Sequence, residues 1–91
     1  MLIVEDNEFN RDVITLILKK LDVEYEVAED GQVGVDKVVD YLKAGKIFDI
    51  VLMDLYMPNM NGFNATKEIR RQEKAFNIPE VNRQYICAYT S

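Results

Sequence analysis

Short apolar runs alternate along this chain with segments whose apolar residues recur at helical spacing, and this alternation constrains the fold most. The apolar runs have the length of β-strands, and the run at 23–28 alternates apolar and acidic residues as a half-buried strand does. Runs without such alternation, for example 50–53, are typical of strands covered on both faces. We therefore predict strands at 1–4, 23–28, 50–53 and 85–89.

The segments between these runs predict three helices. Asn7 is a suitable N-cap for the first helix, and Gly45 is a suitable terminator of the second. Residues 73–84 are expected to form a polar connection, because Pro79 prevents a continuous helix there. Apolar residues recur at helical spacing from 9 to 21 and from 35 to 42, and the third helix is predicted from about 63 to about 72.

Strands that alternate with helices predict an α/β fold built from right-handed βαβ units around a parallel sheet. We expect a flavodoxin-like doubly wound sheet, in which the strand order is 2-1-3-4-5 and the first and third strands are neighbours. A chain of 91 residues has room for one domain only. Residues 1–91 are accordingly assigned to a single domain.

Composition excludes several classes of function. The net charge of −5, without a basic stripe, argues against nucleic-acid binding, and no apolar run approaches the length of a membrane-spanning helix. Acidic residues follow the first apolar run where a signal peptide would continue, so secretion is not expected. The absence of histidine excludes imidazole ligands and Ser-His triads, and Cys87 alone forms neither an internal disulfide nor a cysteine-built zinc site. We expect Cys87 to be a buried structural residue.

Three carboxylates follow two strands that the predicted sheet places side by side. Glu5 and Asp6 come after the first strand, and Asp54 comes after the third. Like charges held close together raise one another's pKa unless a cation intervenes, and Mg²⁺ suits a site of few carboxylates and water. The alternative is that Glu5 and Asp6 only stabilise the N-terminus of the first helix, but no helix starts directly after Asp54.

With these residues in place, the chain resembles the receiver domain of two-component response regulators, especially receivers of hybrid histidine kinases. Three segments carry the resemblance, at 2–7, 50–62 and 86–91. The middle one is specific, since Asp54 ends an apolar strand, Met-Pro follows three and four residues later, and Gly62 follows eight residues later. Pro58 and Gly62 also have a plain structural interpretation, as residues that shape the loop and allow close backbone approach.

The resemblance implies a role for each residue of this site. Asp54 would accept a phosphoryl group from a phosphohistidine on a histidine kinase or a histidine phosphotransfer domain. Asp6, Asp54 and the backbone carbonyl of Tyr56 would bind Mg²⁺, and Glu5 would act through a water. Thr90 would contact the phosphoryl oxygens and respond to their arrival. The resemblance also implies a cytoplasmic protein that assists its own phosphorylation and dephosphorylation but is not a turnover enzyme.

The chain departs from the family pattern at its C-terminal end. A complete receiver continues through a further helix, strand and helix, and its fifth strand ends in a lysine that pairs with the phosphoryl group. We therefore expect residues 1–91 to be a partial receiver, and the oligomeric state stays open. The missing lysine motivates an alternative, a degenerate receiver that binds partners without phosphorylation. A third interpretation, an aspartyl-phosphate phosphatase, is weakened because Tyr56 stands where such enzymes carry a second acid.

Overall fold

A computed structural model describes residues 1–90. Within them, strands and helices alternate in the predicted order. No helix among these residues has both the length and the apolar character needed to cross a membrane. The strands are β1 (Leu2–Val4), β2 (Glu26–Ala28), β3 (Ile50–Asp54) and β4 (Tyr85–Tyr89), and the helices are α1 (Glu8–Lys20), α2 (Gly31–Lys43) and α3 (Gly62–Ala75), with a short 3₁₀ helix at Glu80–Asn82.

The four strands form one parallel sheet in the order β2-β1-β3-β4. This order confirms the predicted α/β architecture, including the adjacency of the first and third strands. In the register of the sheet, Val4 at the end of β1 pairs with Met53 of β3, and Asp54 pairs with Tyr89 of β4. The carboxyl ends of β1, β3 and β4 therefore lie along one edge of the sheet.

Each of the α-helices α1, α2 and α3 is preceded by a polar residue whose side chain accepts a backbone hydrogen bond. The side chain of Asn7 accepts from the amide of Asn10 at 2.9 Å, as predicted for the N-cap of α1. Asp30 caps α2 by accepting from the amide of Val33 at 2.8 Å, and Asn61 caps α3 in the same way. These caps fix the points where the chain leaves the sheet edge and turns into a helix.

The core lies between the sheet and helices α2 and α3. The central strand residues of this core are fully buried. Helix α2 can approach β1 closely because a side chain at Gly34 would clash with Val4. The buried apolar residues of this cluster are Leu2, Val4, Ala28, Val35, Val38, Leu42, Phe48, Val51, Met53, Met57, Ala65 and Ile69.

Two predicted element boundaries are wrong. The second strand begins at Glu26 rather than at residue 23, because its neighbour β1 begins at Leu2 and Glu26 is the residue that pairs with it. The third helix runs beyond its predicted end into the segment 73–84. Glu73, expected in a polar connection, is a fully buried helical residue.

The burial expected for Cys87 is also wrong, since its side chain is exposed. β4 is an edge strand that pairs only with β3 among residues 1–90, so much of its surface stays accessible. The apolar stripe of α1 does form a helix, but Phe9 is 74% exposed and Leu16 55% exposed. The helix buries Leu18 instead.

Candidate functional site

The three predicted carboxylates converge at the carboxyl edge of the sheet. Glu5, Asp6 and Asp54 each present an oxygen atom, and these three atoms lie within 4.8 Å of one another. Glu5 and Asp54 are fully buried, and Asp6 is the most exposed of the three. The structure thus brings together residues separated by about half of the sequence, because β1 and β3 are hydrogen-bonded neighbours.

The segment between β1 and α1 is held by backbone and side-chain contacts. The amide of Glu5 donates to the carbonyl of Ala28 at 3.0 Å, which continues the β1–β2 ladder past Val4. One guanidinium nitrogen of Arg11 donates to the carbonyl oxygens of Glu5 and Asp6, each at 3.0 Å. Arg11 therefore ties the first turn of α1 to the two acidic residues that precede it.

Hydrogen bonds orient both buried carboxylates. The Oε1 atom of Glu5 accepts from the phenol of Tyr89 at 2.7 Å, and Oε2 accepts from the amide of Asn7 at 3.1 Å. The Oδ1 atom of Asp54 accepts from the amide of Tyr56 at 3.0 Å. Each carboxylate is thereby turned toward its neighbours in the cluster.

The electrostatics of the cluster follow from burial and crowding. Burial raises the pKa of Glu5, and the nearby Asp54 acts in the same direction, whereas the hydrogen bonds from Tyr89 and Asn7 oppose this rise. The pKa of Tyr89 is raised strongly, first by burial and then by the Glu5 carboxylate that accepts the hydrogen bond from its phenol. Negative charge is thus concentrated in a partly desolvated site.

This donor set fits Mg²⁺. Hard oxygen ligands from a few carboxylates are what Mg²⁺ uses in proteins, and a divalent cation relieves the repulsion between Glu5 and Asp54. Asp6, which is the most exposed of the three, leaves an approach from solvent. The participation of the Tyr56 carbonyl stays a prediction, although the Tyr56 amide already bonds Asp54.

Two further predicted residues lie at the same edge. A Cβ atom on Gly62 would lie 2.3 Å from the carbonyl oxygen of Asp54, so the absence of a side chain is what lets α3 start against this strand end. Thr90 follows Tyr89, the register partner of Asp54, and is exposed. Its contact with a phosphoryl group stays a prediction.

Two contacts of this site were not predicted from the sequence. The hydrogen bonds of Arg11 to the carbonyls of Glu5 and Asp6 could have been suspected from the sequence, because Arg11 lies one helical turn after the N-cap. The bond of Tyr89 to Glu5 spans 84 positions and had no local signal at all. It depends on the sheet order, which places the ends of β1 and β4 on either side of β3.

Comparison with known proteins identifies the family of this site. The family model described as the response regulator receiver domain matches residues 1–83. The chain belongs to the response regulator receiver family. Among curated relatives of this receiver chain, the hybrid signal transduction histidine kinase A of Dictyostelium discoideum is 41% identical over 90 residues, which is 99% of this chain and 4% of that protein.

Solved receiver structures share the fold. The receiver domain of the histidine kinase CKI1 from Arabidopsis thaliana, complexed with Mg²⁺ and BeF₃⁻, is 37% identical with a TM-score of 0.86, covering 98% of this chain and 63% of that one. The receiver domain of Saccharomyces cerevisiae Ssk1, solved with the histidine phosphotransfer protein Ypd1, is 28% identical with a TM-score of 0.75, covering 98% and 59%. This receiver chain thus spans less than two thirds of those structures and a small fraction of the hybrid kinase.

Proposed function

We propose that this receiver is a phosphoacceptor module of a His-to-Asp phosphorelay, and that Asp54 takes the phosphoryl group. The observation that carries the proposal is the convergence of Glu5, Asp6 and Asp54 at the carboxyl edge of a receiver sheet. Asp54 is fully buried at the end of β3, and its Oδ1 atom accepts the Tyr56 amide. A carboxylate oxygen of Asp54 is the nucleophile in this proposal.

The proposed step is a transfer between two nucleophiles. An oxygen of Asp54 attacks the phosphorus of a phosphohistidine, a P–O bond forms, and the P–N bond breaks with its electron pair remaining on the imidazole nitrogen. The product is an acyl phosphate on Asp54. Bound Mg²⁺ supplies charge cancellation on the phosphoryl oxygens, and we assign its ligands to Asp6, Asp54 and the Tyr56 carbonyl, with Glu5 acting through a water. The Thr90 hydroxyl is proposed to donate a hydrogen bond to the phosphoryl group.

The proposed donor is a histidine kinase or a histidine phosphotransfer domain. The complex of the related Ssk1 receiver with Ypd1 supports this class of partner, and the Mg²⁺ complex of the CKI1 receiver supports the cofactor. The module is proposed to assist its own phosphorylation and dephosphorylation without turning over a substrate as an enzyme. The proposal includes a cytoplasmic location, which rests on the resemblance to kinase-linked receivers.

Transfer from a phosphorylated histidine phosphotransfer protein tests the proposal. With Mg²⁺, the chain should acquire radiolabelled phosphate that hydroxylamine releases, as expected for an acyl phosphate. Asp54→Asn should abolish labelling. The matched control is Asp49→Asn, an exposed aspartate directly before the first residue of the same strand, which should label normally.

Three outcomes separate this function from its alternatives. Equal labelling of the Asp54→Asn variant would overturn the proposal. Absence of labelling together with stable binding of the phosphotransfer protein would favour a phosphorylation-independent interaction module. Sustained release of phosphate from a small phosphoester would instead favour a phosphatase.

A further inference from the structure

A single hydrogen bond joins the carboxyl ends of β1 and β4 across the acidic cluster. The phenol of Tyr89 donates to Oε1 of Glu5 at 2.7 Å. Tyr89 lines a shallow, mostly apolar cavity of about 300 Å³ together with Phe9 and Val13 of α1. Tyr89 thus lines this cavity and at the same time contacts the acidic cluster through its phenol.

Both oxygens of Glu5 already have donors. The backbone amide of Asn7 donates to Oε2, and the phenol of Tyr89 donates to Oε1. The Asn7 contact is a backbone contact within the β1–α1 segment, so it remains as long as that segment keeps its conformation. The Tyr89 contact is made by a side chain from another strand, and rotation of that side chain would release it.

We infer that Tyr89 is a positioning residue whose phenol competes with Mg²⁺ for the charge of Glu5, so that cation binding weakens the Tyr89–Glu5 hydrogen bond. The inference rests on the proposed magnesium site and adds a means by which metal occupancy reaches the end of β4. In the metal-free cluster the phenol holds Glu5 toward β4. With a cation held by the cluster, the charge of Glu5 would be shared between the cation and the phenol, and the hydrogen bond from Tyr89 would be weaker.

The competition follows from the shared charge. A hydrogen bond to a carboxylate draws on the same negative charge that attracts a cation, so each of the two partners weakens the other. Such a coupling is reciprocal in free energy: if Mg²⁺ weakens the phenol contact, then removing the phenol strengthens Mg²⁺ binding by the same factor. The coupling therefore predicts the direction of a measurable effect.

The first test removes only the phenol oxygen. Tyr89→Phe keeps the aromatic ring and should bind Mg²⁺ about three- to tenfold more tightly, which is the effect expected from partial loss of a charged hydrogen bond. The matched control is Tyr85→Phe on the same strand, where the side chain is 68% exposed, and its affinity should equal that of the wild type. Affinity is read from amide NMR shifts at Asp6 and Asp54 during titration with MgCl₂ at constant ionic strength.

A spectroscopic readout separates competition from a general effect on folding. The ¹³Cζ resonance of a tyrosine reports the hydrogen bonding of its phenol, so the Tyr89 signal should move on Mg²⁺ addition in parallel with the Asp54 amide. The Tyr85 signal should not move. In a Glu5→Gln background, the gain in affinity from Tyr89→Phe should shrink toward zero.

The outcomes distinguish this inference from the function on which it rests. If the wild-type chain binds no Mg²⁺, the proposed magnesium site fails, and the competition fails with it. If the wild type binds Mg²⁺ but Tyr89→Phe leaves the affinity unchanged or lowers it, only the competition is overturned. A Tyr89 ¹³Cζ signal that stays fixed through saturation would overturn it as well.

Discussion

Glu73 and Gln84 are both buried, and two hydrogen bonds join them across the connection between α3 and β4. The Oε2 atom of Glu73 accepts from the backbone amide of Gln84 at 2.7 Å and from its side-chain Nε2 at 2.6 Å. The Oε1 atom accepts from the guanidinium of Arg70 at 2.6 Å. The Gln84 side chain in turn accepts from the amide of Phe48 at 3.1 Å. This network fixes the start of the edge strand against the helix and the segment that leads into β3.

Replacement of Glu73 by alanine should destabilise the fold. It leaves two buried donors of Gln84 without an acceptor, and each such group costs about 1–3 kcal/mol, so we expect a loss of about 2–6 kcal/mol in the free energy of unfolding. The free energy of unfolding is measured by urea denaturation, with circular dichroism as the signal. The neighbouring Lys74→Ala, at an exposed position, should change stability by less than about 0.5 kcal/mol. Equal effects of the two substitutions would contradict the role of the network.

Substitution of Gly62 by alanine should disturb both the fold and the site. The added methyl group would lie 2.3 Å from the Asp54 carbonyl oxygen, which is backbone and has no room to rotate away. We expect a loss of about 1–3 kcal/mol in stability, typical of overpacking, together with weaker Mg²⁺ binding because the β3–α3 segment must shift. Urea denaturation and MgCl₂ titration measure the two effects.

Gly45→Ala provides the comparison for Gly62. A Cβ atom at Gly45 meets nothing within 4 Å, but its φ of +73° disfavours other residues. This substitution should lower stability without changing the affinity for Mg²⁺. If Gly62→Ala also left the affinity unchanged, the close approach would matter only for the fold.

The fold could be predicted from the sequence because its signals are local. Strand ends, helix stripes and the cap at Asn7 are each encoded within a few residues, and the parallel order then brings Asp54 beside Glu5. The failures came from partners distant in sequence. The sequence predicts Glu73 in a polar connection, and its burial is explained by the donors of Gln84 and Arg70 whose hydrogen bonds its carboxylate accepts. The Tyr89 contact with Glu5 likewise exists only after the strands are paired.

The ion pair of Glu68 with Arg71 predicts a pH dependence. Hydrogen bonds from Arg71 and Gln72 lower the pKa of Glu68 from 4.5 to about 2. The folded-state pKa lies below the ordinary value, so the stabilising contribution is complete above pH 4.5 and is lost as the pH falls toward 2. Because Arg71 is largely exposed, solvent keeps this contribution small.

Carboxyl ¹³C NMR measures this titration directly. In the wild-type chain the Glu68 carboxyl should stay ionised at about pH 3.5, where an ordinary glutamate is mostly protonated. Arg71→Gln removes the guanidinium and should move the midpoint back toward the ordinary pKa. A wild-type midpoint already near the ordinary value would show that the pair does not persist in solution.

Removal of one carboxylate from the acidic cluster should weaken the proposed magnesium site. Asp6 is the most exposed of the three acids, so Asp6→Asn leaves the buried hydrogen bonds of Glu5 intact and changes mainly the charge. A unit charge about 4 Å from a cation contributes several kcal/mol near a protein surface, so a loss of at least about tenfold in Mg²⁺ affinity is expected. Asp12→Asn, an exposed acid on α1, provides the control and should keep wild-type affinity. Equal affinities for Mg²⁺ in both variants would show that the cation responds to net charge rather than to the cluster.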